Sequence, residues 1–468
     1  MSQEELCFTP ATELAGMIRD KSVSPVDIME ATLERAQALN PRLNAICTPT
    51  YETAMQAARA AEAAVMRGDQ LGILHGVPTT IKDLAFTKGV RTMAGSYVFR
   101  DRVPDFDHLH VERMRAAGAI SVGKTTVSEF GWKGNSNSPL TGITHNPWKQ
   151  GMNAGASSAG AAVCAAAGIG PMHQGSDGAG SVRIPAAFCG VFGLKPSYGR
   201  IPYWPQPNNG LISHVGPLTR TVADAALMLT ALAGPDDRDV SSLEATPEDL
   251  LGGLDKGIAG LRVAYSPDLG YLRVDSEVAA PVRDAAAAFE KLGGVVEEVN
   301  PGWGDPIEME HCHFASNFAA SVGPLLDKWA DKMDPGLVAL TRHGMTYSAA
   351  DYCRAQGQRL TYYDKDRAFF ERYDLLLTPS LSVAAFPAEL LIPSHWAQHP
   401  WDWLRWAGFS YPFNLTGLPA ATCPCGFTPT GLPVGLQIVA GRFRDLRVLL
   451  ASRAFEQARP WAQRRPPL

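Results

Sequence analysis

Residues 151–183 read GMNAGASSAGAAVCAAAGIGPMHQGSDGAGSVR, with one carboxylate, one histidine and hardly a large side chain. A stretch so poor in bulk buries little apolar area, so its value must lie in letting backbone approach backbone. It holds two serine-bearing glycine turns, GASSAG at 155–160 and GSDGAGS at 175–181, on either side of a small-residue run. That run, 159–171, is about thirteen residues long and interrupted by Gly168 and Gly170, too short to span a bilayer. It predicts a buried helix joining two tight turns. Glycines there permit backbone conformations closed to other residues, and consecutive free N–H groups form a nest for an anion.

Composition narrows the setting. A chain of 468 residues, 46% of them apolar, has ample material for a large core. Net charge is −5 and no Lys/Arg block appears, which removes the electrostatic footprint expected of a nucleic-acid or membrane-surface binder. The opening MSQEELCFTP lacks a basic segment followed by an apolar one, so it does not read as a secretory signal, and a cytoplasmic location is expected. The eight cysteines are scattered without a CxxC pair, predicting buried reduced thiols and no metal site. No cofactor is expected.

Along the chain, residues 1–70 read as helical. Ser24-Pro25-Val26-Asp27 supplies a cap, a proline at the first helical position and an acid in the first turn; a second helix over 53–67 stops at Gly68. Short β-like runs (GVPTTIKDL, GAISVGKT, GVFGLKPSYGRIP, LLLTP) then alternate with helical patterns such as VERMRAAG, predicting an α/β layered architecture. With no repeat or linker, we read one domain over 1–468, with a core at 70–220. The stretch 303–406 is more helical, and 395–406 holds four of the ten tryptophans. It reads as a substrate-shaping insertion, or as plain core.

Two motifs point to other chemistry and fail on context. Residues 118–125, GAISVGKT, match a phosphate-loop pattern, but a helical pattern precedes Gly118 and a strand lies inside the supposed loop, so Gly118 is better read as a helix-ending glycine. His108 and His110 lack a third ligand at metal spacing and read as surface residues opening the VERMRAAG helix. The Gly-x-Ser-x-Gly nucleophile elbow is absent.

What remains is a serine among free amides. If Ser181 attacks a carbonyl, chain proximity puts the N–H groups of Gly178, Ala179, Gly180 and Ser181 around the oxyanion that forms. A serine needs a base. His173 is nearest in sequence but reads as structural, whereas Lys82 ends an apolar β-like run, where burial can bring a lysine toward neutrality at pH 7.

These pieces resemble the amidase signature family. GVPTTIKD, SEFGWKG, NPW, GASSAG, GSDGAGSVRIPAAFCGVFGLKPSYGR, YDLLLTP and FNLTGLPAATCPCGF…GLPVGLQIVAG stand in that family's order from about 70 to 455. The resemblance implies a large twisted mixed β-sheet sandwiched between helices, with an N-terminal helical segment. It makes Lys82 the base, Ser157 a bridging serine on a cis peptide, and Ser181 the nucleophile. Backbone at Gly131 and Trp132 would flank the bound acyl group, while Ser158, Asp177 and Arg183 support the turns, Arg183 by pairing with Asp177. The family commonly has GGSSGG after Arg and Pro, whereas this chain has alanine at 154, 156 and 159 and Met152 at the Arg position. Alanine is tolerable where φ is negative, so activity should survive.

Two functions follow from the resemblance. One is a free-standing amidohydrolase, a monomer or homodimer, acting on a small amide, with esters and carbamates (urethanes) as further candidates because all present a carbonyl. Trp132, Trp303, Trp329, Trp396 and Trp403 hint at an apolar or aryl substrate. The alternative is the glutaminase component of a tRNA-dependent amidotransferase complex.

Overall fold

Local signals at the N-terminus become caps in the structure, a computed structural model that describes residues 1–207, 210–244 and 249–468. Ser24 Oγ accepts the Val26 N–H at 2.9 Å, Pro25 takes the first helical position, and the helix runs Pro25–Leu43. The next helix, Tyr51–Arg67, ends on Gly68 at φ +79°.

Eight strands form the main sheet, in the order Val295–Glu298, Arg262–Tyr265, Leu375–Pro379, Pro433–Val439, Ala420–Phe427, Phe192–Lys195, His214–Thr219, Met172–Asp177. The first three are parallel and the other neighbours antiparallel, so the sheet is mixed. Every residue of Leu375–Pro379 and Pro433–Val439 is buried, as continuous apolar runs require when both faces are covered. Leu375 and Leu377 join a core with Phe289 and Phe455, while Leu376 between them joins a core with Phe188 and Phe314. Helices therefore sandwich the sheet, as the sequence predicts.

A smaller sheet, Ile46–Pro49, Ile120–Thr125 and Pro78–Lys82 in that spatial order, sets its Pro78–Lys82 edge beside Met172–Asp177. Thr79 Oγ1 donates to Met172 O at 2.9 Å, and the Lys82 N–H to Gln174 Oε1 at 3.0 Å. Lys82 is thus brought to the strand that leads into the second glycine turn. The helix Ala159–Ala167 joins the two turns and is buried at every residue. A Cβ on Gly160 would fall 2.4 Å from Ala45 O and 2.7 Å from Thr126 N, so this contact admits no side chain.

Gly118 (φ +91°) lies between the helix Leu109–Ala116 and the strand Ile120–Thr125, which removes the phosphate loop. His108 and His110 correct the surface reading: they are 5% and 0% exposed. His108 stacks on Phe86, and both rings meet Tyr203 edge-on. Five of the eight cysteines are buried, Cys47 and Cys425 are half-buried and Cys353 is exposed. Among the described residues, no helix is long and apolar enough to cross a membrane, and no group of three or more His, Cys, Asp or Glu could hold a metal.

Candidate active site

Lys82 ends its strand 1% exposed, surrounded by oxygens. Its Nζ lies 2.8 Å from Ser157 Oγ, 2.8 Å from Ser158 Oγ, 2.9 Å from Ser176 Oγ and 3.1 Å from Ser176 O. Ser158 Oγ donates its own hydrogen to Ser176 O (3.1 Å), so toward Lys82 it acts as acceptor. Burial lowers the Lys82 pKa to about 7, against the opposing pull of Asp177. A neutral amine has two hydrogens and one lone pair; with Ser158 and Ser176 accepting, the lone pair is left for the Ser157 hydroxyl.

Ser157 and Ser181 meet where the turns converge. They are 3% and 5% exposed, and the Ser157 N–H donates to Ser181 Oγ at 3.4 Å. Two expectations about the first turn are corrected. Among the described residues the only cis peptide is Trp204–Pro205, so the bonds flanking Ser157 are trans; the bend is made at Ala156, which adopts φ +48°. Ala156 therefore departs from the rule that alanine stands where φ is negative. Its N–H donates to Gly134 O at 2.7 Å, which fixes the strained residue.

The second turn is built on a buried ion pair. Arg183 Nε and Nη2 donate to the two carboxylate oxygens of Asp177 at 3.0 and 2.9 Å, with both residues 0% exposed. The remaining Arg183 donors reach Ser410 O, Gln437 Oε1 and Asn414 Oδ1. Burial pushes the Asp177 carboxyl up, but Arg183 outweighs it and holds the group below the usual carboxylate range. Asp177 also accepts the Gly180 N–H at 2.7 Å and the Val182 N–H at 3.2 Å. This corrects the expected row of oxyanion donors: the Gly180 amide is committed to Asp177. The amides of Gly178, Ala179 and Ser181 have no acceptor among the described residues.

Ser157, Ser181, Gly178 and Ala179 open onto a narrow cavity. Its other walls are Leu84, Phe130, Gly131, Pro207, Phe314 and Trp403, with Ser176, Tyr203 and Ser213 adding side-chain hydroxyls. Of the two residues expected to flank the acyl group, Gly131 is among the lining residues and Trp132 is not. The Trp132 side chain is 1% exposed and its carbonyl accepts the Trp403 indole N–H at 2.8 Å, so it belongs to the core. Of the five tryptophans singled out, only Trp403 reaches the cavity. Phe314 and Trp403 both come from 303–406.

His173 is structural: fully buried, hydrogen-bonded to Thr80 and Gly170 O, and held by burial at about 3. Sequence reasoning missed Ser176, whose Oγ lies 2.9 Å from Lys82 Nζ, and Tyr203, which lines the cavity. Ser176 carries a faint signal, since it adjoins Asp177 inside the second turn. Tyr203 carries none, because only the fold brings it to this place.

Comparison with known proteins places the chain in a family. The sequence matches the Amidase family over residues 27–449. It is 41% identical over 476 residues to an acylamidase of Rhodococcus erythropolis, covering 100% of this chain and 98% of that protein. It is 34% identical to a glutamyl-tRNA(Gln) amidotransferase component of Moorella thermoacetica, covering 99% of each. The solved structure of a bacterial aryl acylamidase superposes with a TM-score of 0.91 at 31% identity, covering 97% of each chain. With the match spanning most of its length and the fold shared throughout, the chain belongs to the amidase signature family of amide-hydrolysing enzymes.

Proposed function

We propose that this enzyme is a free-standing amidohydrolase of small apolar or aryl amides, working through an acyl-enzyme on Ser181. The observation that carries the reading is Lys82 Nζ, buried, shifted to about 7 and 2.8 Å from Ser157 Oγ. Neutral Lys82 takes the proton of Ser157, Ser157 takes that of Ser181, and Ser181 Oγ attacks the carbonyl carbon. The free amides of Gly178, Ala179 and Ser181 receive the oxyanion. Ser157 then protonates the leaving amine as the C–N bond breaks. Water, deprotonated through the same relay, hydrolyses the ester on Ser181 and releases the acid.

The cavity supports the substrate class. Leu84, Phe130, Phe314 and Trp403 stand in its walls among the serine hydroxyls and turn amides, and none of its lining side chains among the described residues is charged. The acylamidase and aryl acylamidase relatives point the same way. The alternative, a glutaminase working inside a complex, draws on the amidotransferase relative, but the ammonium and carboxylate of glutamine would meet no charged partner among the described lining residues. Esters and carbamates present the same carbonyl and belong in the same panel. Purified chain should release 4-nitroaniline from 4-nitroacetanilide without partner proteins, and Ser181→Ala should abolish that release while leaving the fold intact. Hydrolysis confined to glutamine in the presence of partner proteins would overturn the reading, as would undiminished turnover by the Ser181 variant.

A further inference from the structure

One wall of the cavity is a short turn closed by the Gly131 N–H to Ser128 O at 2.8 Å and the Trp132 N–H to Glu129 O at 3.1 Å, and seated against its surroundings. In Glu129–Gly131, Phe130 has φ +51° and Gly131 φ +77°, and both line the cavity. A strained turn of this kind persists only where its surroundings fix it.

Glu129, 0% exposed, provides that fixing. One carboxylate oxygen accepts the Ser96 hydroxyl at 2.6 Å, and the other accepts the backbone N–H of Asp334 at 2.7 Å. Ser96 belongs to the 94–96 segment, whose Ala94 O also accepts the Phe130 N–H at 2.9 Å. Asp334 caps the helix Pro335–Gly344 through the Gly336 N–H and pairs with Lys133, two residues beyond Gly131. One buried carboxylate thus ties the cavity wall to the core on one side and to the head of a helix from the 303–406 region on the other.

We propose that Glu129 is a positioning residue of the enzyme: it clamps the Phe130–Gly131 wall between Ser96 and Asp334, and so sets the pose of the bulky part of the substrate. The inference rests on the proposed use of this cavity for aryl amides. The clamp needs a planar group with an acceptor toward Asp334, not a charge. Burial lifts Glu129 to about 7, and its protonated form can still accept from Asp334 while donating to a turned Ser96 hydroxyl. Glutamine offers the same pattern, and alanine offers neither bond.

The test compares Glu129→Gln and Glu129→Ala on two amides, 4-nitroacetanilide, which is bulky enough to meet the wall, and acetamide, which is not. Relative to acetamide, kcat for the anilide should fall about tenfold or more in Glu129→Ala, because misplacement of a substrate is felt in kcat. Glu129→Gln should stay within about threefold of wild type on both, since it restores both bonds. Equal losses on the two amides, or a Gln variant as impaired as the Ala variant, would overturn the clamp while leaving the proposed reaction standing. Absence of Ser181-dependent hydrolysis of either amide would instead overturn the reaction. Should Glu129→Ala not fold, Ser96→Ala combined with Lys133→Met loosens both anchors; an unchanged anilide-to-acetamide ratio in that variant also refutes the proposal.

Discussion

Replacing Lys82 by methionine removes the amine while keeping an unbranched apolar side chain in the same buried slot. The structure sets the expected size of the effect. Burial brings Lys82 from 10.5 to about 7, a shift equivalent to about 5 kcal/mol of disfavoured charge at 1.36 kcal/mol per unit. At pH 7 about half the enzyme then holds a neutral lysine, and at pH 5 about one molecule in a hundred does. The sign follows from the role: the base works deprotonated, so kcat/KM should rise with pH through about 7 and level off above 8. At pH 5 it should lie about a hundredfold below that plateau. A positioned base contributes about 10²- to 10⁴-fold, so Lys82→Met should lose that much on the plateau. Release of 4-nitroaniline, followed from pH 5 to 9 under kcat/KM conditions, reads both effects. Glu129 is also lifted to about 7, so the same profile is taken on Glu129→Gln, where the acid limb should remain. A flat wild-type profile, or a Lys82→Met enzyme within tenfold of wild type at pH 8, would falsify the assignment of Lys82 as base.

Other consequences are smaller in scope. Arg183→Met leaves Asp177 buried without its partner and should cost about 3–5 kcal/mol, read as a lower urea midpoint, with activity lost even where the protein stays folded. A variant near wild type in both would show that the ion pair does not hold the second glycine turn. Ala156→Gly relieves a left-handed alanine at φ +48° and should raise stability by about 1 kcal/mol, measured by denaturant unfolding; an unchanged midpoint would indicate that packing of the methyl offsets the strain. Phe314→Ala opens the cavity and should shift preference toward bulkier amides while costing about 3 kcal/mol of stability. An unchanged substrate order would place Phe314 outside the binding region.

Local chemistry explains which parts were readable. Ser24 and Gly68 announce helix ends because capping is decided within one turn of chain, and the apolar run before Lys82 announces a buried strand end. The small residues of 151–183 announce close approach, and Gly160 against Ala45 O shows what they admit. Phe314, Trp403 and Tyr203 were not assigned to the cavity as a set because they are far apart in the chain and meet only through the packing of the insertion on the sheet. Trp132 and Trp403 look equivalent as letters and pack in the same core, yet only Trp403 reaches the cavity. The misreadings share a cause. His108 and His110 follow two acids and look solvated, but the rings of Phe86 and Tyr203 enclose them. Gly180 stands in a row of apparently free amides, but Asp177 folds back and takes its N–H. Neither event leaves a trace in residue type or spacing.

On the proposed route one oxygen, Ser181 Oγ, carries the acyl group. Mixing the enzyme with a slowly deacylating 4-nitrophenyl ester and quenching in acid should give an intact mass increased by one acyl group. Peptide mapping should place that group on Ser181, and Ser181→Ala should show no increase. An acyl group on Ser157 or Ser176, or turnover by Ser181→Ala at the wild-type rate, would contradict the account.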